Sequence, residues 1–269
     1  MADVVLVVLK RPELAETLLA AGQRMAERLG RARLSVLAVR EPVEMSPLAG
    51  EALIAEAEFL VSAREQEEQR VGTLRAACGK WTAATGVDAT WAEAEGSTPA
   101  IVGERGSRAD LIVVGQPLER DRLARHVLSA ALFGTDRPVL MVPAGTEPTF
   151  GRRVAIAWRD ERCAAKAVIP ALRCLAGAEQ VHVLMGVRGR APTPDLPRIL
   201  LDHDVSAELH VLPIGSEPFG QTLLDAVHRL GADMLVMGAY AHSPLRELIL
   251  GGVTRYMIGH ADLPVLMRH

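Results

Sequence analysis

The feature that most limits how this chain can fold is an internal repeat. Ala109-Asp110-Leu111-Ile112-Val113-Val114-Gly115 matches Ala232-Asp233-Met234-Leu235-Val236-Met237-Gly238, 123 residues later. Asp136-Arg137-Pro138-Val139-Leu140-Met141 matches Asp262-Leu263-Pro264-Val265-Leu266-Met267, 126 residues later. Val4–Leu9 parallels Val154–Arg159, and Ser35-Val36-Leu37 parallels His182-Val183-Leu184. Four matches in one order predict two copies of one unit, which sets the architecture before any single element is assigned.

The offsets also show where the copies differ. Between the second and fourth strands the first copy carries about 24 extra residues, within Leu48–Ala84, and these read as a long helix. Its charge run Glu65–Arg70 is expected to face solvent. Between the fourth and fifth strands the second copy has three extra residues. A Pro143-Ala144-Gly145-Thr146-Glu147-Pro148 linker divides the copies, giving units over 1–146 and 150–269.

In the second unit, short apolar runs at Arg153–Trp158, Val181–Gly186, Ala207–Leu212, Met234–Gly238 and Val265–Met267 alternate with helical stretches. These stretches are Cys163–Ala176, Pro197–His203, Glu217–Leu230 and Val253–Gly259. Such alternation predicts an α/β unit with a five-stranded parallel sheet covered on both faces, of the doubly wound class. A ligand of such a sheet sits beyond the carboxyl ends of the strands, where strand order reverses. After the fourth strand a loop runs from Gly238 to a Gly251-Gly252 pair that opens the last helix. Helix-start N–H groups favour an anion such as phosphate, and Thr254 adds a hydroxyl in the first turn. The bland alternative, on spacing alone, is a tight loop-to-helix turn.

Composition excludes other classes. The chain has 269 residues, 49% hydrophobic, with a net charge of -3. That is apolar enough for a buried core, and it gives no electrostatic reason to expect nucleic acid. No apolar run approaches the roughly 20 residues of a membrane span, and the start lacks the pattern of a secretory signal. Three cysteines without a C-x2-C pair suit a reduced, cytoplasmic setting. There are only three lysines, and Gly79-Lys80 is followed by Trp81, so a Walker phosphate loop is absent. None of the nine serines sits in a Gly-x-Ser-x-Gly elbow, and no H-E-x-x-H motif occurs. His182, His203, His210, His228, His242 and His260 are spread along the chain, so no metal site is expected. Cys163 and Cys174 read as core residues of one helix.

Gly238–Thr254 followed by Pro264-Val265-Leu266-Met267 resembles the end of a universal stress protein domain. ATP-binding members of that family carry G-x2-G-x9-G-[S/T]. In this chain those places hold Gly238, Ala241, Gly251 and Gly252. The spacing is kept and two identities change. At the end of the first strand, the family's acidic or Asn position holds Arg159, and Asp160 stands one place late. The resemblance implies two tandem domains of the adenine nucleotide alpha hydrolase-like fold, joined as an intrachain pseudo-dimer through their fifth strands. It implies ATP or AMP as ligand, with Mg2+ as companion, held by Trp158, Asp160, Met237, Gly238, Ala241, Gly251, Gly252, Val253 and Thr254. The first unit lacks the loop: no glycine follows Gly115 until Gly134, and Leu128-Ser129 stands where the Gly-Gly pair would. It reads as a degenerate, non-binding copy. No catalytic residue is expected, although slow ATP hydrolysis stays open. The alternative function is a ligand-free stress or interaction scaffold, and homodimerisation of whole chains is compatible with either.

Overall fold

The computed structural model describes residues 2–42, 52–118, 121–159, 162–175, 177–189, 194–239 and 252–269. Ten strands form one sheet. The first half contributes β1 (Val4–Leu9), β2 (Arg33–Arg40), β3 (Ala89–Glu95), β4 (Leu111–Gly115) and β5 (Val139–Val142). The second contributes β6 (Arg153–Trp158), β7 (Gln180–Val187), β8 (Glu208–Pro213), β9 (Met234–Gly238) and β10 (Val265–Arg268). Their order is β3-β2-β1-β4-β5-β10-β9-β6-β7-β8. Outward from the centre, both halves therefore run fifth, fourth, first, second, third.

Within each half all neighbours are parallel. The halves join through β5 and β10, which pair antiparallel with Leu140 opposite Leu266. The pairing expected between the two fifth strands is thus present within one chain. It leaves neither strand as an open edge, which would invite association with other chains.

Helices cover both faces: α1 (Ala15–Arg28), α2 (Ala52–Thr85), α3 (Thr98–Gly106), α4 (Arg122–Gly134), α5 (Arg162–Leu175), α6 (Arg198–Asp202), α7 (Phe219–Arg229) and α8 (Gly252–His260). Successive strand residues point to opposite faces, so each strand feeds two apolar layers. Val5, Val7 and Leu9 join a layer with Leu18 and Leu19 of α1, Leu74 of α2 and Ala171 of α5. Leu6 and Val8 join the other, with Val102 of α3, Leu128 of α4, Leu223 of α7 and Met257 of α8. Both layers run across the two halves. Each fully buried Leu or Val in them contributes on the order of 1.5–3 kcal/mol relative to exposure.

Local sequence explains these placements. In α1 the apolar residues Leu18, Leu19, Met25 and Ala26 recur at helical spacing and are buried, while Glu16 and Glu27 face out. Gly22 lets α1 lie close on β1, since a Cβ there would stand 2.5 Å from Val7 Cγ2. The helix stops at Gly30, whose φ of 81° suits glycine. Cys174 is buried, and burial pushes its thiol up to about 11, as suits an inert core cysteine. Among the described residues no helix is long and apolar enough to cross a membrane.

The charge run of α2 departs from expectation. Glu65, Gln66, Glu68 and Gln69 are exposed, but Glu67 and Arg70 turn inward. Arg70 donates to the main-chain oxygens of Lys10 at 2.9 Å and Val39 at 2.7 Å. It also bonds both Glu67 oxygens, and Glu67 accepts from the Glu41 N–H. The inserted helix therefore fastens itself across the carboxyl ends of β1 and β2.

Candidate functional site

Strand order reverses between β6 and β9 in the second half, and between β1 and β4 in the first. These are the two crevices where a doubly wound sheet accepts ligands.

In the second half, Ala157 of β6 and Met237 of β9 are register partners, so Trp158 and Gly238 end neighbouring strands. Beyond Gly238 the backbone is tied to β10: the Ala239 N–H donates to the Arg268 oxygen at 2.8 Å. The ring Nδ1 of His269 lies 3.1 Å from the Ala239 oxygen. Gly252 is the first described residue of α8 and is exposed, whereas Thr254 is buried. Among the described residues nothing comes within 4 Å of where a Gly252 Cβ would stand. The first N–H groups of a helix have no partner within it, so a helix start carries donors and the positive end of the dipole.

Of the nine residues expected at this site, six are described. Gly238 and Trp158 stand at the carboxyl ends of neighbouring strands, and Gly252 is exposed. Met237 and Thr254 are buried, and Val253 is half-buried against the layer under α7 and α8. Trp158 packs against the opposite layer, on the α5 side, so its ring and the Met237 side chain stand on different faces of the sheet. Asp160, Ala241 and Gly251 lie outside the described residues.

The first-half crevice is filled. Arg11 donates from Nη2 to the main-chain oxygen of Gln116 at 2.7 Å, bridging the ends of β1 and β4. Leu14 presses on Gly115, where a Cβ would meet Leu14 Cδ1 at 3.0 Å. What remains between Lys10, Arg11, Leu14, Gly115 and Ala124 is a cavity of about 20 Å³. That is near the volume of a single water. The helix beyond also differs. Leu128-Ser129 falls inside α4, not at its start, because α4 opens at Arg122. There Asp121 caps it, accepting from the Ala124 N–H at 2.9 Å. A carboxylate thus occupies the place a phosphate would need. Burial pushes the Lys10 ammonium below its ordinary pKa, and the charge of Arg70 adds to this.

Gln116 also works across the interface. Its amide nitrogen donates to the oxygens of Ile258 at 3.1 Å and Ala261 at 2.8 Å, at the carboxyl end of α8. Arg28 donates to the oxygens of Cys174 at 2.9 Å and Gly151 at 2.7 Å. Arg24 holds the Phe150 oxygen, and Arg173 pairs with Asp3 at 2.7 Å. The first half thereby braces the second.

Sequence reading missed the roles of Arg11, Arg70 and Gln116, because an arginine or glutamine in a loop or on a helix face carries no signature of its partner. It also missed one meeting of histidines. His182 on β7 and His210 on β8 approach to 3.1 Å, near the amino ends of the strands and away from either crevice. The signal was there in principle: parallel neighbours with period two place them on one face.

Residues 210–269 match the universal stress protein family. In fold, the whole chain is similar to the crystal structure of a universal stress protein from Archaeoglobus fulgidus DSM 4304. The TM-score is 0.68 at 16% identity, covering 99% of this chain and 96% of that one. It is also similar to a functionally unknown protein from Pseudomonas aeruginosa PAO1, with a TM-score of 0.61 at 16% identity, covering 99% and 92%. No curated protein matches the chain in sequence.

Proposed function

We propose, for a chain whose C-terminal segment belongs to the universal stress protein family, that it is a stress-response protein with one adenine-nucleotide site. The nucleotide, ATP or AMP, lies over the carboxyl ends of β6 and β9, its phosphates toward the start of α8. Mg2+ accompanies the triphosphate. The observation that supports this reading is the contrast between the two halves: Arg11 and Leu14 close the first-half crevice and α4 opens under the carboxylate of Asp121, whereas Gly252, the first described residue of α8, is exposed. Gly238, Gly252 and Thr254 contribute backbone and a hydroxyl, and Trp158 bounds the crevice on the α5 side. The reading assigns no catalytic residue. The protein's action is to bind and to report binding.

The test is calorimetric titration of ATP, with and without Mg2+, against wild type and Gly252→Asp. The described surroundings leave room for that side chain, and an acid in a first helical turn does not harm the helix. The expected result is binding by wild type and loss of binding in Gly252→Asp. Equal affinity for both defeats this site.

A second reading has its own support in the closed first half and in Arg28 and Gln116, which reach across the halves. Under it the chain is a pseudo-dimeric scaffold for partner proteins, and millimolar ATP leaves no heat of binding.

A further inference from the structure

We propose that His182, Glu208 and His210 form a binding site for one divalent transition-metal ion, with zinc as the best fit, on the outer edge of the second half.

The register of the two outermost strands builds the site. His182 of β7 is paired with Glu208 of β8, and Leu184 with His210. Paired residues of parallel strands share a face, as do residues two apart on one strand. The three side chains therefore stand together, with their ligand atoms converging.

The distances suit a metal better than a hydrogen-bond network. His182 Nδ1 is 3.1 Å from His210 Nε2. The same Glu208 oxygen, Oε2, lies 3.5 Å from His182 Nδ1 and 3.7 Å from His210 Nε2. A point equidistant from three atoms so spaced is about 2.0 Å from each, the length of a zinc–imidazole or zinc–carboxylate bond. A hydrogen bond accounts for the contact between the rings. It does not account for a carboxylate held at 3.5 and 3.7 Å from both nitrogens, beyond ordinary hydrogen-bond range.

The donor set is two imidazoles and one carboxylate, which suits zinc and its neighbours rather than calcium or magnesium. Three protein ligands leave a position for water. Access is open: Glu208 is exposed, His210 is half-buried, and a groove of about 690 Å³ reaches the site past His203 and Asp204. His182 is buried and sets the anchor. Among the described residues its Nε2 has no hydrogen-bond partner. With no outer partner among the described residues to orient this imidazole, strand packing holds the ring and the affinity is moderate. A bound ion would staple the edge strand β8 to β7, at the end of the strands away from the nucleotide crevice.

The experiment uses the full chain after removal of metal by a chelator. Zn2+ is titrated by calorimetry into wild type, His210→Ala and Glu208→Gln, and thermal unfolding is followed with and without Zn2+. Both substituted residues are solvent-accessible, so the fold is retained. The expected result is one Zn2+ per chain, weakened at least roughly tenfold in His210→Ala, with a rise in Tm on Zn2+ addition in wild type that His210→Ala lacks. Absence of binding at about 1 mM Zn2+, close to the weak limit of useful affinity, overturns the proposal. So does equal affinity in wild type and His210→Ala.

Discussion

Arg11 donates to the main-chain oxygen of Gln116 at 2.7 Å, closing the first-half crevice from one strand end to the other. The same Gln116 passes its side chain to the end of α8 in the second half. One residue thus belongs both to the closure of the first-half crevice and to the support of α8 in the second half.

Arg11→Ala removes a charge-assisted hydrogen bond and is expected to lower stability by about 1.5–3 kcal/mol. It should not create a second nucleotide site, because Asp121 still caps α4. Urea unfolding measures the first effect. The number of ATP molecules bound by the variant measures the second.

Gln116→Ala leaves the oxygens of Ile258 and Ala261 without their shared donor. A cost of about 1–3 kcal/mol is expected for that loss. Hydrogen exchange should show faster opening in α8 than in α1, which lies on the opposite face of the sheet. Uniform acceleration over both helices would contradict the assigned role.

Arg28→Ala tests the bracing of the two halves. The guanidinium satisfies the oxygens of Cys174 and Gly151 at once. Its removal is expected to cost about 2–4 kcal/mol, from two hydrogen bonds to a charged donor in a shared setting. Since both apolar layers run through the two halves, unfolding should stay a single transition. Two separated transitions in the variant would show that the layers do not couple the halves.

Glu67 gives a pH prediction. Burial pushes its carboxyl up, but the hydrogen bonds from Arg70 and the Glu41 N–H, with the charges of Arg70 and Lys10, hold it below the ordinary range. A depressed folded value means the contribution is complete above the unfolded pKa of about 4.3 and is lost as pH falls through the folded value. Wild type should therefore lose stability more steeply below about pH 4 than Glu67→Gln does. Parallel stability-against-pH curves would remove this pair from the account.

Much of the fold was legible from the repeat. Asp136–Met141 and Asp262–Met267 already marked two fifth strands, and the family resemblance implied their pairing, which the structure shows as antiparallel with Leu140 opposite Leu266. The inserted helix was legible from the length of the insertion and its polar stretch Glu65–Arg70. The inward turn of Glu67 and Arg70 was not, because the rotation of α2 on the sheet decides which charges find backbone oxygens. The crevice proposed for the nucleotide was legible as spacing around Gly238 and Gly252. The closure of its counterpart was not, since it depends on where the Arg11 side chain travels and on α4 opening at Arg122. His182 and His210, 28 residues apart, meet only because β7 and β8 are neighbours in register.

The central claim is that one half binds and the other is closed. It is tested most directly by equilibrium dialysis of the full chain at saturating ATP and Mg2+, counting nucleotide per chain. The account predicts one nucleotide per chain, and none for Gly252→Asp. Two per chain, or one that persists in Gly252→Asp, would contradict it.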